Sequence, residues 1–84
     1  MMADELKTRI KTMMVDRLFM PMDPADIEDD KSLVTEYGVD SLNLLELVVG
    51  VEEEFGVRIG DTEFRVSNFE TVDALAAFIE EKIN

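Results

Sequence analysis

Cysteine, histidine and tryptophan are all missing from these 84 residues. Without cysteine the chain can form no disulfide, bind no metal through thiolate and use no thiol of its own as a nucleophile. Without histidine it lacks the usual general base for a serine, so a hydrolase-type triad is disfavoured before any fold is considered. Asp40, next to Ser41, is the remaining candidate base, and a carboxylate is a poor base for an alcohol unless strongly tuned. Long apolar runs are missing as well. Acids at Asp4 and Glu5 interrupt the N-terminal residues, so neither a secretory leader nor a membrane span can be read there. A cytoplasmic protein is the expectation.

Positive charge is scarce, with 8 Lys and Arg against 20 Asp and Glu and a net charge of −12. The imbalance is uneven. Lys7, Arg9, Lys11 and Arg17 outnumber Asp4, Glu5 and Asp16, so residues 1–20 carry +1 and the remainder carries −13. Such a body repels nucleic acid and anionic lipid, which are bound mainly through Lys and Arg. Basic protein surfaces are its natural partners. Calcium loops are excluded by spacing: counted from Asp23 the third and fifth positions are Ala25 and Ile27, and from Asp26 the sixth is Lys31 and the twelfth Tyr37, none of which suits an EF-hand. No specific metal site is expected.

Three helical patterns are present. Leu6, Ile10, Met13, Met14 and Leu18 recur at helical spacing and predict a helix over residues 4–20, stopped by Pro21 and Pro24. An acidic connection follows over residues 21–40. Ile27, Leu33, Val34 and Tyr37 are its expected apolar anchors, and residues 30–37 can make a short helical turn ending on Gly38 in a left-handed cap. A second helix is predicted over residues 41–55, started by Asp40 or Ser41 and ended by Gly56. Leu44, Leu47, Val48, Val51 and Phe55 form its core face. On the opposite side lie Leu42, Glu46, Val49 and Glu53, flanked by Asn43, Gly50, Glu52 and Glu54, so apolar residues stand among acids on a face that should be wet. A short helix is predicted over residues 61–66. The last helix, residues 71–83, is capped by Thr71 and striped by Val72, Leu75, Ala76, Ile79 and Ile83. No strand pattern competes. The chain reads as one all-α domain over residues 1–84, a small bundle of three longer helices plus one short one.

Ser41 carries two readings. The plain one is a helix cap worth about 1 kcal/mol. The functional one is an attachment point, because a serine at a helix N-terminus without a catalytic partner is a place to hang a group rather than to cleave a bond.

Gly38-Val39-Asp40-Ser41-Leu42, followed by Leu45-Glu46-Leu47-Val48 and Glu52-Glu53-Glu54-Phe55-Gly56-Val57, closely resembles the acyl carrier proteins. The likeness runs from about Pro24 through Ile83 and takes in Thr71-Val72-Asp73-Ala74-Leu75; the first helix is similar only in pattern. The resemblance implies that Ser41, between Asp40 and Leu42, receives a 4′-phosphopantetheine arm from coenzyme A. The arm's thiol would supply the sulfur that this chain lacks. It further implies a docking face of Leu42, Glu46, Val49, Glu52 and Glu53, met by a phosphopantetheinyl transferase and by acyl-processing and synthase enzymes with basic patches. Val48, Phe55, Ile59, Phe64 and Phe69 would shelter the acyl chain. Departures from the common bacterial pattern are Asn43 in place of a second acid, Val49 in place of methionine, aromatic bulk at Phe64 and Phe69, and about two extra residues before Thr71. These put a specialised carrier beside the housekeeping one as a reading. No catalysis of its own and a monomeric state are expected. Peptidyl and D-alanyl carriers share the serine, and an unmodified acidic module that docks a basic protein is the alternative from another class.

Overall fold

In a computed structural model that describes residues 3–83, the chain folds into four α-helices: α1 Ala3–Leu18, α2 Leu33–Tyr37, α3 Ser41–Phe55 and α4 Val72–Ile83. Single 3₁₀ turns occur at Pro24–Asp26 and Val66–Phe69, and no strand is present among the described residues. The apolar stripes of the long helices make one core. Leu6, Ile10, Met13 and Met14 enter it from α1, Leu47 and Val51 from α3, and Val72, Leu75, Ala76, Phe78 and Ile79 from α4. Burying each large aliphatic side chain contributes roughly 1.5–3 kcal/mol. No polar or charged residue is buried among the described residues, so the core between α1, α3 and α4 is apolar throughout.

The end of α1 differs from the sequence expectation. The prolines lie beyond the stop, which is made at Phe19 by a left-handed backbone (φ 52°). The Met20 N–H donates to the Val15 carbonyl at 3.1 Å, the long bond of a Schellman cap. A left-handed conformation disfavours a side chain with Cβ by about 1–2 kcal/mol, and the Phe19 ring, 88% exposed, recovers nothing by burial. Phe19→Gly should therefore stabilise the fold by about 0.5–1 kcal/mol, a rise of a few degrees in Tm. An unchanged or lowered Tm in thermal unfolding would show that the ring is used in the folded chain.

The acidic connection is anchored as a loop of its length requires. Ile27, Leu33 and Val39 are fully buried, and the Tyr37 hydroxyl accepts the Glu28 N–H at 2.8 Å. Val34, expected as an anchor, points outward instead, because the single turn of α2 turns Leu33 inward. Ser32 caps that turn through the Thr35 N–H at 3.2 Å, and Gly38 closes it at φ 67°. Backbone bonds from Leu33 to Glu70 (2.9 Å) and from Asp73 to Asp29 (3.0 Å) tie the loop to the start of α4.

The helix expected over residues 61–66 does not form. Residues 61–63 make a turn and the 3₁₀ segment starts only at Val66. Glu63, which would have sat inside that helix, accepts the Gly60 N–H at 3.0 Å and the Lys82 ammonium at 2.7 Å, and Arg65 is extended. The short α-helix of the bundle is thus α2. Thr71 caps α4 as its sequence predicts, accepting the Ala74 N–H at 3.0 Å.

Candidate functional site

Asp40, not Ser41, caps α3. Its Oδ1 accepts the Asn43 N–H at 2.8 Å, and the Asn43 Oδ1 accepts the Asp40 N–H in return at 3.3 Å. This reciprocal capping box gives Asn43 a structural role that its sequence position alone did not show. Ser41 follows as the first helical residue. Its side chain is exposed, and no hydrogen bond engages its hydroxyl among the described residues. The plain reading of Ser41 as the cap is corrected: that duty is already filled.

The surrounding backbone holds this hydroxyl in a defined place. Gly38 turns the chain in the left-handed region, buried Val39 donates its N–H to the Leu33 carbonyl at 3.1 Å, and the capping box fixes the start of α3. A helix N-terminus attracts an anion through its amide N–H groups and the positive end of its dipole. A phosphodiester formed at the solvent-facing Ser41 Oγ would therefore lie at the favoured end of a 15-residue helix, with Leu42, 74% exposed, beside it. These residues fit a phosphate-linked arm.

Along α3 the exposed apolar residues are Leu42, Leu45 and Val49; Leu45 was not among the expected surface residues. The acids are less free than the helical wheel implies. Arg17 of α1 bridges two of them, with Nη1 3.0 Å from the Glu46 carboxylate and Nη2 on that of Glu53. Glu54 pairs with Arg9 at 2.7 Å, and Glu52 accepts the Ile59 N–H at 2.8 Å. Gly50, expected beside the wet face, is buried under Arg17. The wheel shows which residues share a side of α3; it does not show that α1 overlaps that side.

The residues expected to shelter an acyl chain are only partly alike. Val48, Phe55 and Ile59 are half-buried against the core. Phe69 is 1% exposed, whereas Phe64 is 42% exposed. Their rings meet edge-on at 5.6 Å, and Phe69 lies 5.9 Å from Phe78. Phe64 is therefore a half-exposed cover on Phe69 rather than a core residue.

The basic residues of α1 act as counterions for the acidic body. Lys7 pairs with Asp73 at 2.7 Å and Lys11 with Asp29 at 2.5 Å, while Arg9 and Arg17 serve α3. The close ion pair with Lys11, with the charge of Lys7 behind it, holds the Asp29 carboxyl below its ordinary range. A carboxylate with a lowered folded-state pKa contributes stability that is present above its unfolded pKa, about 3.9, and lost as pH falls through the folded value. Asp29→Asn should thus be less stable than the parent at neutral pH by about 1 kcal/mol or less, since the pairs are part-exposed. The gap should close below about pH 4. Denaturant midpoints measured across pH would contradict this if the gap persisted in acid.

Among the described residues no group of three or more His, Cys, Asp or Glu could hold a metal ion, and no helix is long and apolar enough to cross a membrane.

Comparison with known proteins agrees with this geometry. A family model described as a phosphopantetheine attachment site matches residues 8–79. The chain is 38% identical over 74 residues to an acyl carrier protein of Solidesulfovibrio magneticus, covering 88% of this chain and 90% of that protein. It is 29% identical over 80 residues to an acyl carrier protein of Thermotoga maritima, covering 95% and 94%. A third relative, an acyl carrier protein of Bdellovibrio bacteriovorus, is 32% identical over 74 residues, covering 88% and 90%. The chain belongs to the acyl carrier protein family. Its cofactor is a covalently attached 4′-phosphopantetheine.

Proposed function

We propose that Ser41 carries the phosphopantetheine arm, and that the chain holds acyl intermediates as thioesters for fatty-acid, polyketide or related lipid-biosynthetic enzymes. The observation that carries the proposal is the exposed Ser41 hydroxyl at the first position of α3, relieved of capping by Asp40 and Asn43. The arm supplies the thiol that a chain without cysteine cannot. Ser41 Oγ is the acceptor of the phosphoryl link, and the N-terminal turn of α3 stabilises the resulting anion. The chain acts as a cytoplasmic monomer and performs no catalysis itself.

Docking is assigned to Leu42, Glu46, Val49, Glu52 and Glu53, with Leu45 added for its exposure. The apolar members provide contact that does not depend on salt, and the acids steer basic partners, among them a phosphopantetheinyl transferase and acyl-handling synthases. Val48, Phe55, Ile59, Phe64 and Phe69 are proposed to receive the acyl chain, entered where Phe64 is already half-exposed.

The test is intact mass after incubation with a phosphopantetheinyl transferase and coenzyme A. A gain of one arm is expected. No gain would favour the unmodified docking module, and a loaded arm that accepts amino acids but not acyl groups would favour the peptidyl or D-alanyl carrier.

A further inference from the structure

Glycine in the interior of a helix is unfavourable relative to alanine, yet Gly50 lies within α3 and is buried. What occupies the space of its missing side chain is Arg17. A Cβ built at Gly50 would stand 2.6 Å from Arg17 Cδ and 3.0 Å from both Arg17 Nε and Met13 Sδ, far inside ordinary contact. The glycine thus forms a seat for the arginine stem. From that seat the planar fork of the guanidinium divides between two carboxylates, Nη1 on Glu46 and Nη2 on Glu53, one turn to either side of Gly50. A lysine ammonium has no such fork. The two carboxylates in turn hold the Arg17 guanidinium above its ordinary range, Glu53 most strongly.

Glu46 and Glu53 are also two of the acids assigned to docking. We propose that Arg17, seated on Gly50, is a specificity-determining residue that occupies the acidic docking face from within, so that an incoming basic side chain reaches Glu46 and Glu53 only by displacing it. The inference rests on the reading of α3 as the docking face. Its consequence is a selective one. Partners that rely on cations alone bind weakly to the occupied face. Partners that also cover the exposed Leu42, Leu45 and Val49 gain contact that Arg17 does not contest.

Two substitutions free the carboxylates by different routes. Arg17→Met removes the cation while keeping an apolar stem; Gly50→Ala fills the seat and keeps the net charge. Circular dichroism and Tm first check that both fold. Two readouts then follow on the full chain: the rate of arm transfer from coenzyme A by a phosphopantetheinyl transferase across a salt series, and the affinity for a tetralysine peptide at low salt. Arg17→Met should raise kcat/KM and peptide affinity by about three- to tenfold at low salt, since steering by an acidic face grows with its exposed charge. Gly50→Ala should give a smaller gain of the same sign, and both gains should vanish near 1 M salt, where the screening length is about 3 Å. Parent values in both variants would overturn the proposal. A gain confined to Arg17→Met would also overturn it, because net charge and not the occupied seat would then be the cause. If the parent chain accepts no arm at all, the assignment of Ser41 fails, and the peptide titration still decides the role of Arg17.

Discussion

Ser41→Ala is expected to fold as well as the parent and to gain no mass from coenzyme A in the presence of a transferase. The functional effect is complete because the hydroxyl oxygen is the only atom of that side chain able to accept the phosphoryl link. The structural effect is small because the hydroxyl makes no hydrogen bond among the described residues and alanine is the best helix former; stability should change by less than about 0.5 kcal/mol. Asp40→Ala provides the contrast. It removes the cap that Asn43 reciprocates and should destabilise the fold by about 1 kcal/mol. Intact mass and denaturant midpoints on the two variants separate attachment from capping. A Ser41→Ala chain that still gains one arm would sink the assignment, and a Ser41→Ala chain as destabilised as Asp40→Ala would restore the plain reading of the serine as a cap.

Phe69→Ala should produce the largest loss of stability of any single change considered. Phe69 is 1% exposed, lies between Phe64 and Phe78 and ends the 3₁₀ turn that leads into α4. Truncating a buried phenylalanine costs about 3–5 kcal/mol through lost transfer energy and the cavity left behind. A chain of this length, at roughly 0.05–0.15 kcal/mol per residue, has only about 4–13 kcal/mol in all. Phe64→Ala, at a ring 42% exposed, should cost about 1–2 kcal/mol. Equal midpoints for the two variants in urea would show that Phe64 carries as much of the packing as Phe69. If the pair also limits the acyl chain, Phe64→Leu should change the hydrolysis lifetime of long-chain thioesters relative to short ones, since the half-exposed ring is the part that can yield.

The three long helices, the cap at Thr71 and the left-handed close at Gly38 were legible in the sequence, and Asp40 was one of two candidate caps for α3. Each depends on residues within a turn or two of one another, and helical periodicity reports such neighbours directly. The short contiguous motif around Ser41 was legible for the same reason, and the structure places that serine at the first position of α3. Misreadings occurred where residue type and spacing did not decide the local backbone. Asp61 and Thr62 offer a helix start, but residues 61–63 make only a turn, in which Glu63 accepts the local Gly60 N–H and the ammonium of Lys82, 19 residues away. Val34 belongs to an apolar pair of which a single helical turn can bury only one member. Phe19 ends α1 in a backbone conformation that its residue type argues against.

The sequence by itself determined the class of fold, a serine at a helix start, the apolar stripes and the uneven charge, because these follow from composition and from spacing along one helix. The tertiary structure alone decided which of the α3 acids are engaged from within. Arg17 lies 29 and 36 residues from Glu46 and Glu53, and no periodicity spans that separation. Only the packing of α1 across Gly50 brings the cation to the two carboxylates, since side-chain charges pair by distance in space and not by distance along the chain.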